Sequence, residues 1–95
     1  MKKRSLMTRT LVTGSEAACG TDAAGASTFG SATVVRLVNT TSTARVVTVA
    51  TAVGGSTVGT FTLLGNTVEF VDKKSTEAIF AAHASVLGTS VGYAN

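Results

Sequence analysis

From Ala32 to Tyr93 the chain is a succession of short Thr- and Val-rich runs separated by Gly, Asn and Ser, with no proline in its 95 residues. Branching at Cβ stiffens Thr and Val and suits them to a pleated surface, while Gly and Asn supply the tight turns between runs. The runs are Ala32–Asn39 (ATVVRLVN), Arg45–Val53 (RVVTVATAV), Thr57–Leu64 (TVGTFTLL), Thr67–Val71 (TVEFV), Ala78–Ala84 and Leu87–Tyr93. Thr40–Thr43, Gly54-Gly55-Ser56, Gly65-Asn66 and the polar loop Asp72–Thr76 punctuate them, and Gly59 marks a bulge position. Ala78–Ala84 contains Ile79 and Phe80 and lacks a helix cap, so it reads as a strand despite its alanines. The first two runs read as a hairpin. Strands at a spacing of about 8–12 residues predict an all-β fold, a small antiparallel sandwich or barrel.

The first third of the chain reads differently. Met1–Ser5 is a charged tip, and Leu6–Thr13 alternates as one further strand, which brings the expected total to about six to seven. Gly14–Ser31 is dominated by Gly, Ala, Ser and Thr, with Phe29 its one large side chain. Glu16–Cys19 is compatible with one helical turn. Such a segment offers little apolar surface to bury. It predicts an extended N-terminal arm over residues 1–31 that orders across a neighbour, and a β-sandwich body over 32–95 that folds without it. A chain this size buries only about 60–65% of its unfolded surface, so the body has one thin core. Covering by partners would add to it.

Charge and side-chain chemistry exclude several functions. The formal net charge of +3 comes from the cluster Lys2, Lys3 and Arg4; without these three, five basic residues face five acidic ones. The body is therefore not a polyanion binder by bulk charge. The basic start does not read as a signal peptide, because Arg9 and several Thr interrupt the apolar segment, and no run approaches the ~20 apolar residues of a membrane span. Cys19 is the single cysteine, without a partner for a disulfide or a CxxC site. His83 is the single histidine, and its neighbours are Ala, Ser and Val. Gly54-Gly55-Ser56-Thr57 lacks the lysine and frame of a phosphate loop and reads as a turn. Asn39-Thr40-Thr41 matches a glycosylation acceptor but reads as a turn in which Asn and Thr bond local backbone. Glu69 and Asp72 beside Lys73 and Lys74 read as a solvated loop edge. No catalytic residue, cofactor or metal ligand set emerges. Arg9, Arg36 and Arg45 are the candidate interface residues, because arginine is enriched where proteins meet. Phe61, Phe70 and Phe80 read as core, which leaves no stacking platform for single-stranded nucleic acid.

The body's wording also carries a resemblance. Val34-Val35-Arg36-Leu37-Val38-Asn39-Thr40-Thr41 and Arg45-Val46-Val47-Thr48-Val49 are followed by Gly59-Thr60-Phe61-Thr62-Leu63-Leu64 and Val68-Glu69-Phe70-Val71-Asp72-Lys73. Ala78-Ile79-Phe80-Ala81-Ala82 and Gly88-Thr89-Ser90-Val91-Gly92-Tyr93 complete the pattern. This resembles small virion structural proteins of tailed phages, especially those infecting cyanobacteria. The resemblance implies a non-enzymatic β-sandwich in the virion, made in the host cytoplasm and present in many copies. Its implied partners are capsid, neck or tail subunits and copies of itself, with decoration or cement as the leading role. The alternative reading is a small basic β-barrel that binds nucleic acid through its N-terminus.

Overall fold

The computed structural model describes residues 9–94, with side chains from Thr10 to Gly92. Among these residues the chain is all-β, with eight strands in two sheets. The strands are β1 (Arg9–Val12), β2 (Ala17–Ala18), β3 (Val34–Asn39), β4 (Arg45–Ala50), β5 (Thr57–Leu63), β6 (Val68–Asp72), β7 (Ala78–Ala81) and β8 (Val86–Ala94). One sheet runs β1-β8-β3-β6 with β2 also on β8; the other runs β5-β4-β7. Every pairing between strands is antiparallel.

The hairpin expected of the first two body runs does not form. β3 and β4 lie in different sheets, and β3 pairs with β6 and β8 instead. Each of β3–β4, β5–β6 and β7–β8 is a ribbon bent across the sandwich at a corner. The true hairpin is β4–β5, whose register shifts between Val49 and Ala50, so that Val58 is the extra residue beside Gly59.

Asn39 explains why the chain turns a corner after β3. Its side chain is fully buried and uses its whole hydrogen-bonding capacity. Nδ2 donates to the carbonyls of Thr43 (2.7 Å) and Leu63 (3.1 Å), while Oδ1 accepts from the Thr41 amide (3.0 Å) and hydroxyl (2.9 Å). Its backbone N–H donates to Thr67 O and its carbonyl accepts from Asn66 N–H, so two corners are tied at one residue. The third joins through Thr40, whose amide and hydroxyl both donate to Ser85 O. A side chain at Gly65 would strike the backbone of Ser42, so glycine is what lets the corners touch.

The core lies between the sheets. Val35 and Leu37 of β3, Val47 of β4, Leu63 of β5, Ile79 and Ala81 of β7 and Val86 of β8 fill it. Period-2 alternation is sharp in β3, whose even-numbered side chains face outward and odd-numbered ones inward. Phe29 lies over Gly88, where any Cβ would meet its ring and Leu37.

Phe29 also shows that the division at 31/32 is a change of composition and not a boundary of the core. Cys19, Ala26 and Phe29 are buried with the body. β1 and β2 run along one edge of β8, and Thr13 and Cys19 donate backbone bonds to Ser90 and Val86. The chain then crosses to the other sheet, where Ser27 and Ile79 exchange two backbone bonds (2.8 and 3.0 Å) and Ala81 N–H donates to Gly20 O. The segment is extended, as its composition predicts, yet it serves as a fourth ribbon closing one side of the sandwich. Removing it would strip part of the core, so the body is not expected to fold without it. The helical turn expected at Glu16–Cys19 is strand β2, because β8 offers it backbone partners. Residues 6–8 of the expected first strand, and the Lys2-Lys3-Arg4 cluster, lie outside the described residues.

Replacing Asn39 by Ala leaves two carbonyls and an amide at the corner without their partner. The expected loss is about 2–4 kcal/mol, the cost of unsatisfying several buried polar groups. Urea denaturation should show it as a lower midpoint, against less than about 0.5 kcal/mol for exposed Thr62→Ala.

Candidate functional site

Two glycine- or asparagine-containing candidates resolve into architecture. Gly54–Ser56 closes the β4–β5 hairpin, with Ser56 O accepting from Thr51 N–H at 2.8 Å. Asn39-Thr40-Thr41 is the bonded turn that its side chains predict, with Asn39 too buried to carry a glycan.

Cys19 is buried between the arm and β8, and burial pushes its thiol up from 9.0 to about 12, against a smaller lowering by a backbone hydrogen bond. A thiol so far from ionisation is a poor nucleophile at neutral pH. His83 sits in the exposed β7–β8 corner, where Nδ1 accepts from the Ser85 amide (3.1 Å) and lies 3.0 Å from its hydroxyl. That ring therefore shapes a turn. His83 and Cys19 both bond Val86 through the backbone, but the ring is exposed while the thiol is buried.

The three arginines are dispersed. Arg9 opens β1 opposite Ala94, and its side chain lies outside the described residues. Arg36 stands on the outward face of β3, opposite Thr89 and Phe70, and its guanidinium meets Glu16 at 3.5 Å. Both partners are more than a third exposed, so the pair contributes about 0–1 kcal/mol. Arg45 begins β4 opposite Leu63, with its Nε buried and unpaired. Arg36 and Arg45 thus belong to different sheets and form no common patch by strand placement.

Two sequence expectations change. Phe70 lies on the outward face and is 42% exposed, so it is not core. Lys73 is not a solvated loop residue but is 7% exposed, with Nζ donating to Ala32 O (2.6 Å) and Lys74 O (3.3 Å). Desolvation lowers its pKa, and the Glu77 carboxylate partly offsets this.

The feature that residue-by-residue reading misses is an open cleft of about 500 Å³ between β5 and β6. Val58, Phe61 and Val71 contribute apolar lining, and Glu69, Asp72 and Glu77 bring three carboxylates to it. Glu77 also caps its own turn, accepting from the Lys74 amide at 2.8 Å. β5 and β6 are the terminal strands of their sheets on this side. The arm closes the opposite side, so the sandwich is sealed along one flank and open along the other. Glu69, Asp72 and Glu77 fall within nine residues of one another, and what the fold adds is the apolar lining that β5 sets beside them. Among the described residues no group of His, Cys, Asp and Glu is placed to hold a metal ion, and no helix is long and apolar enough to cross a membrane.

No family model matches this chain, and no curated protein or solved structure does either.

The Cys19 environment predicts a pH dependence. Below pH 9 the thiol is protonated in both folded and unfolded chains, so its contribution is fully present there. Between 9 and about 12 only the unfolded thiol ionises, and stability falls by up to ~1.4 kcal/mol per pH unit. Urea midpoints measured from pH 8 to 10.5 should therefore fall more steeply for the native sequence than for Cys19→Ala. Parallel curves would show that burial does not hold the thiol neutral.

Proposed function

We propose that this chain is a non-enzymatic structural subunit of a tailed-phage virion, of the decoration or cement type, attached to a capsid, neck or tail lattice through the faces and free edge of its sandwich. The observation that carries the reading is the apolar surface it presents. Val12 is 63% exposed, Leu64 62%, Val58 55% and Leu11 54%, on a domain whose core is thin. Single exposed hydrophobes are ordinary, but several on strand faces and edges suit a protein whose surfaces are covered by neighbours. The virion-like wording of the β runs supports the same reading, and many weak attachments on a lattice give avidity without a large interface per copy.

The mechanism is mechanical. The Arg36–Glu16 pair and the outward Phe70 and Val68 lie on the face of the β8-β3-β6 sheet, a surface with a charged centre and apolar surroundings. Arg45 would act separately, near the corner of the other sheet. Residues 9–31 belong to the subunit's own fold, so the reach to neighbours falls to the exposed faces and to the residues ahead of Arg9. The exposed Phe70 opposite Arg36 is one aromatic that the nucleic-acid alternative could use, but the carboxylates at the open cleft disfavour phosphate there and Glu16 already engages Arg36, so that alternative stays the weaker reading.

Mass spectrometry of purified phage particles should find the chain at a fixed ratio to the major capsid or tail subunit, and labelled antibody should place it on the particle surface. Its absence from particles that package DNA and infect normally would remove this function.

A further inference from the structure

The two terminal strands flanking the cleft are not equivalent. Glu69 stands opposite the buried Leu37, so its carboxylate leaves β6 on the inner face, and an inward charge discourages β6 from pairing further. β5, Thr57–Leu63, contains neither charge nor proline, and all but Phe61 and Leu63 of its residues are exposed. From Gly59 to Leu63 it is in regular register with β4, and Leu63 O is already taken by Asn39. Among the described residues that leaves Gly59–Thr62 as an open edge, about 14 Å long at ~3.4 Å per residue. Such an edge is a template for another strand.

Gly59 lies opposite Val49, which packs on the core, so its missing side chain is on the inner face. A Cβ placed there would meet nothing within 4 Å. A glycine inside a strand weakens it, and one with empty space at its side-chain position leaves room for another chain to approach closely. Val49, Phe61 and Val71 make the apolar floor around that space. Glu69 borders it from β6, with Asp72 and Glu77 alongside. Among the described residues neither Glu69 nor Asp72 is ion-paired, and the neighbouring Lys73 is held by Ala32 O and Lys74 O.

We propose that the edge of β5 accepts an extended segment of a different protein as a further strand, one that turns an apolar side chain and a Lys or Arg side chain into the cleft. Alternation along a strand puts those two residues on one face when they are two positions apart. The apolar side chain fills the space over Gly59 against Val49 and Phe61, and the cation meets Glu69. Main-chain bonds to the edge supply affinity and the side chains supply selection. The same carboxylates reject an acidic segment. β5 of a second copy is uncharged and would leave Glu69 without a cation, so it is not the occupant.

The inference rests on reading the chain as an assembly subunit but not on which particle it joins; a chain missing from virions would leave the following result untouched. The probe is a synthetic peptide with threonine at every second position and valine and lysine alternating between, titrated into the isotopically labelled full chain. A matching peptide with glutamate in place of lysine is the comparison. Saturable amide shifts concentrated at Gly59–Thr62 are expected for the lysine peptide, which should bind about tenfold tighter than the glutamate peptide at low salt and lose that advantage at high salt. Charge reversal by Glu69→Lys should invert the preference. Gly59→Leu, whose side chain enters open space, should fold and block the lysine peptide, an independent comparison should Glu69→Lys fail to fold. No saturable binding of the lysine peptide, shifts centred away from β5, equal affinity for the two peptides, pairing of the chain with itself through β5, or unchanged binding by either folded variant would each overturn the assignment.

Discussion

Everything in this sandwich turns on how three bent ribbons are held at one line of corners, and Asn39 holds two of them with a single side chain. Both of its amide hydrogens and both carbonyl lone pairs are used, toward the β3–β4 turn and the end of β5. A buried amide is costly unless fully satisfied, so this arrangement is close to all-or-nothing. With the corner formed, β3 lies over β4 and β6 over β5, and Val35, Leu37, Val47 and Leu63 meet in the middle. The polar corner sets the geometry, and the apolar core then supplies most of the stabilisation.

The N-terminal segment completes the core by different means. From Gly14 to Ser31 its residues are mostly small, and they join through backbone bonds to β8 and β7, with Phe29 and Cys19 the sizeable buried side chains among the described residues. This closes one flank. The other remains open, because no fourth ribbon lies outside β6 and β5 among the described residues. The molecule therefore has a direction across its width, with a sealed flank and an open one.

Most strands were legible from the chain because their signals are local. β-branched runs bounded by Gly, Asn and Ser place β3 to β8 within a few residues, and the Asn39-Thr41 turn chemistry follows from those side chains alone. What was not legible depends on partners distant in sequence. Thr40–Thr43 has the composition of a hairpin turn, and only the bonds to Leu63, Asn66 and Ser85 make it part of a corner between sheets. Gly14–Ser31 looked too poor in apolar area to pack, yet main-chain bonding to strand edges does not depend on side-chain hydrophobicity. Phe70 read as core from its type, while register with Arg36 places it outward. Lys73 read as solvated because charged residues usually are. The open cleft is built from β5, β6 and the turn before β7, and no local pattern announces it.

Amide hydrogen exchange on the full chain tests most directly whether the N-terminal segment is one cooperative unit with the strands that follow it. The Cys19 and Ser27 amides, which donate to Val86 and Ile79, and the Ile79 and Ala81 amides, which donate back to Ser27 and Gly20, should exchange as slowly as the β3 core around Val35 and Leu37. Fast exchange at those four positions, beside protected β3 and β8, would show the segment to be a loose strap and would contradict the account.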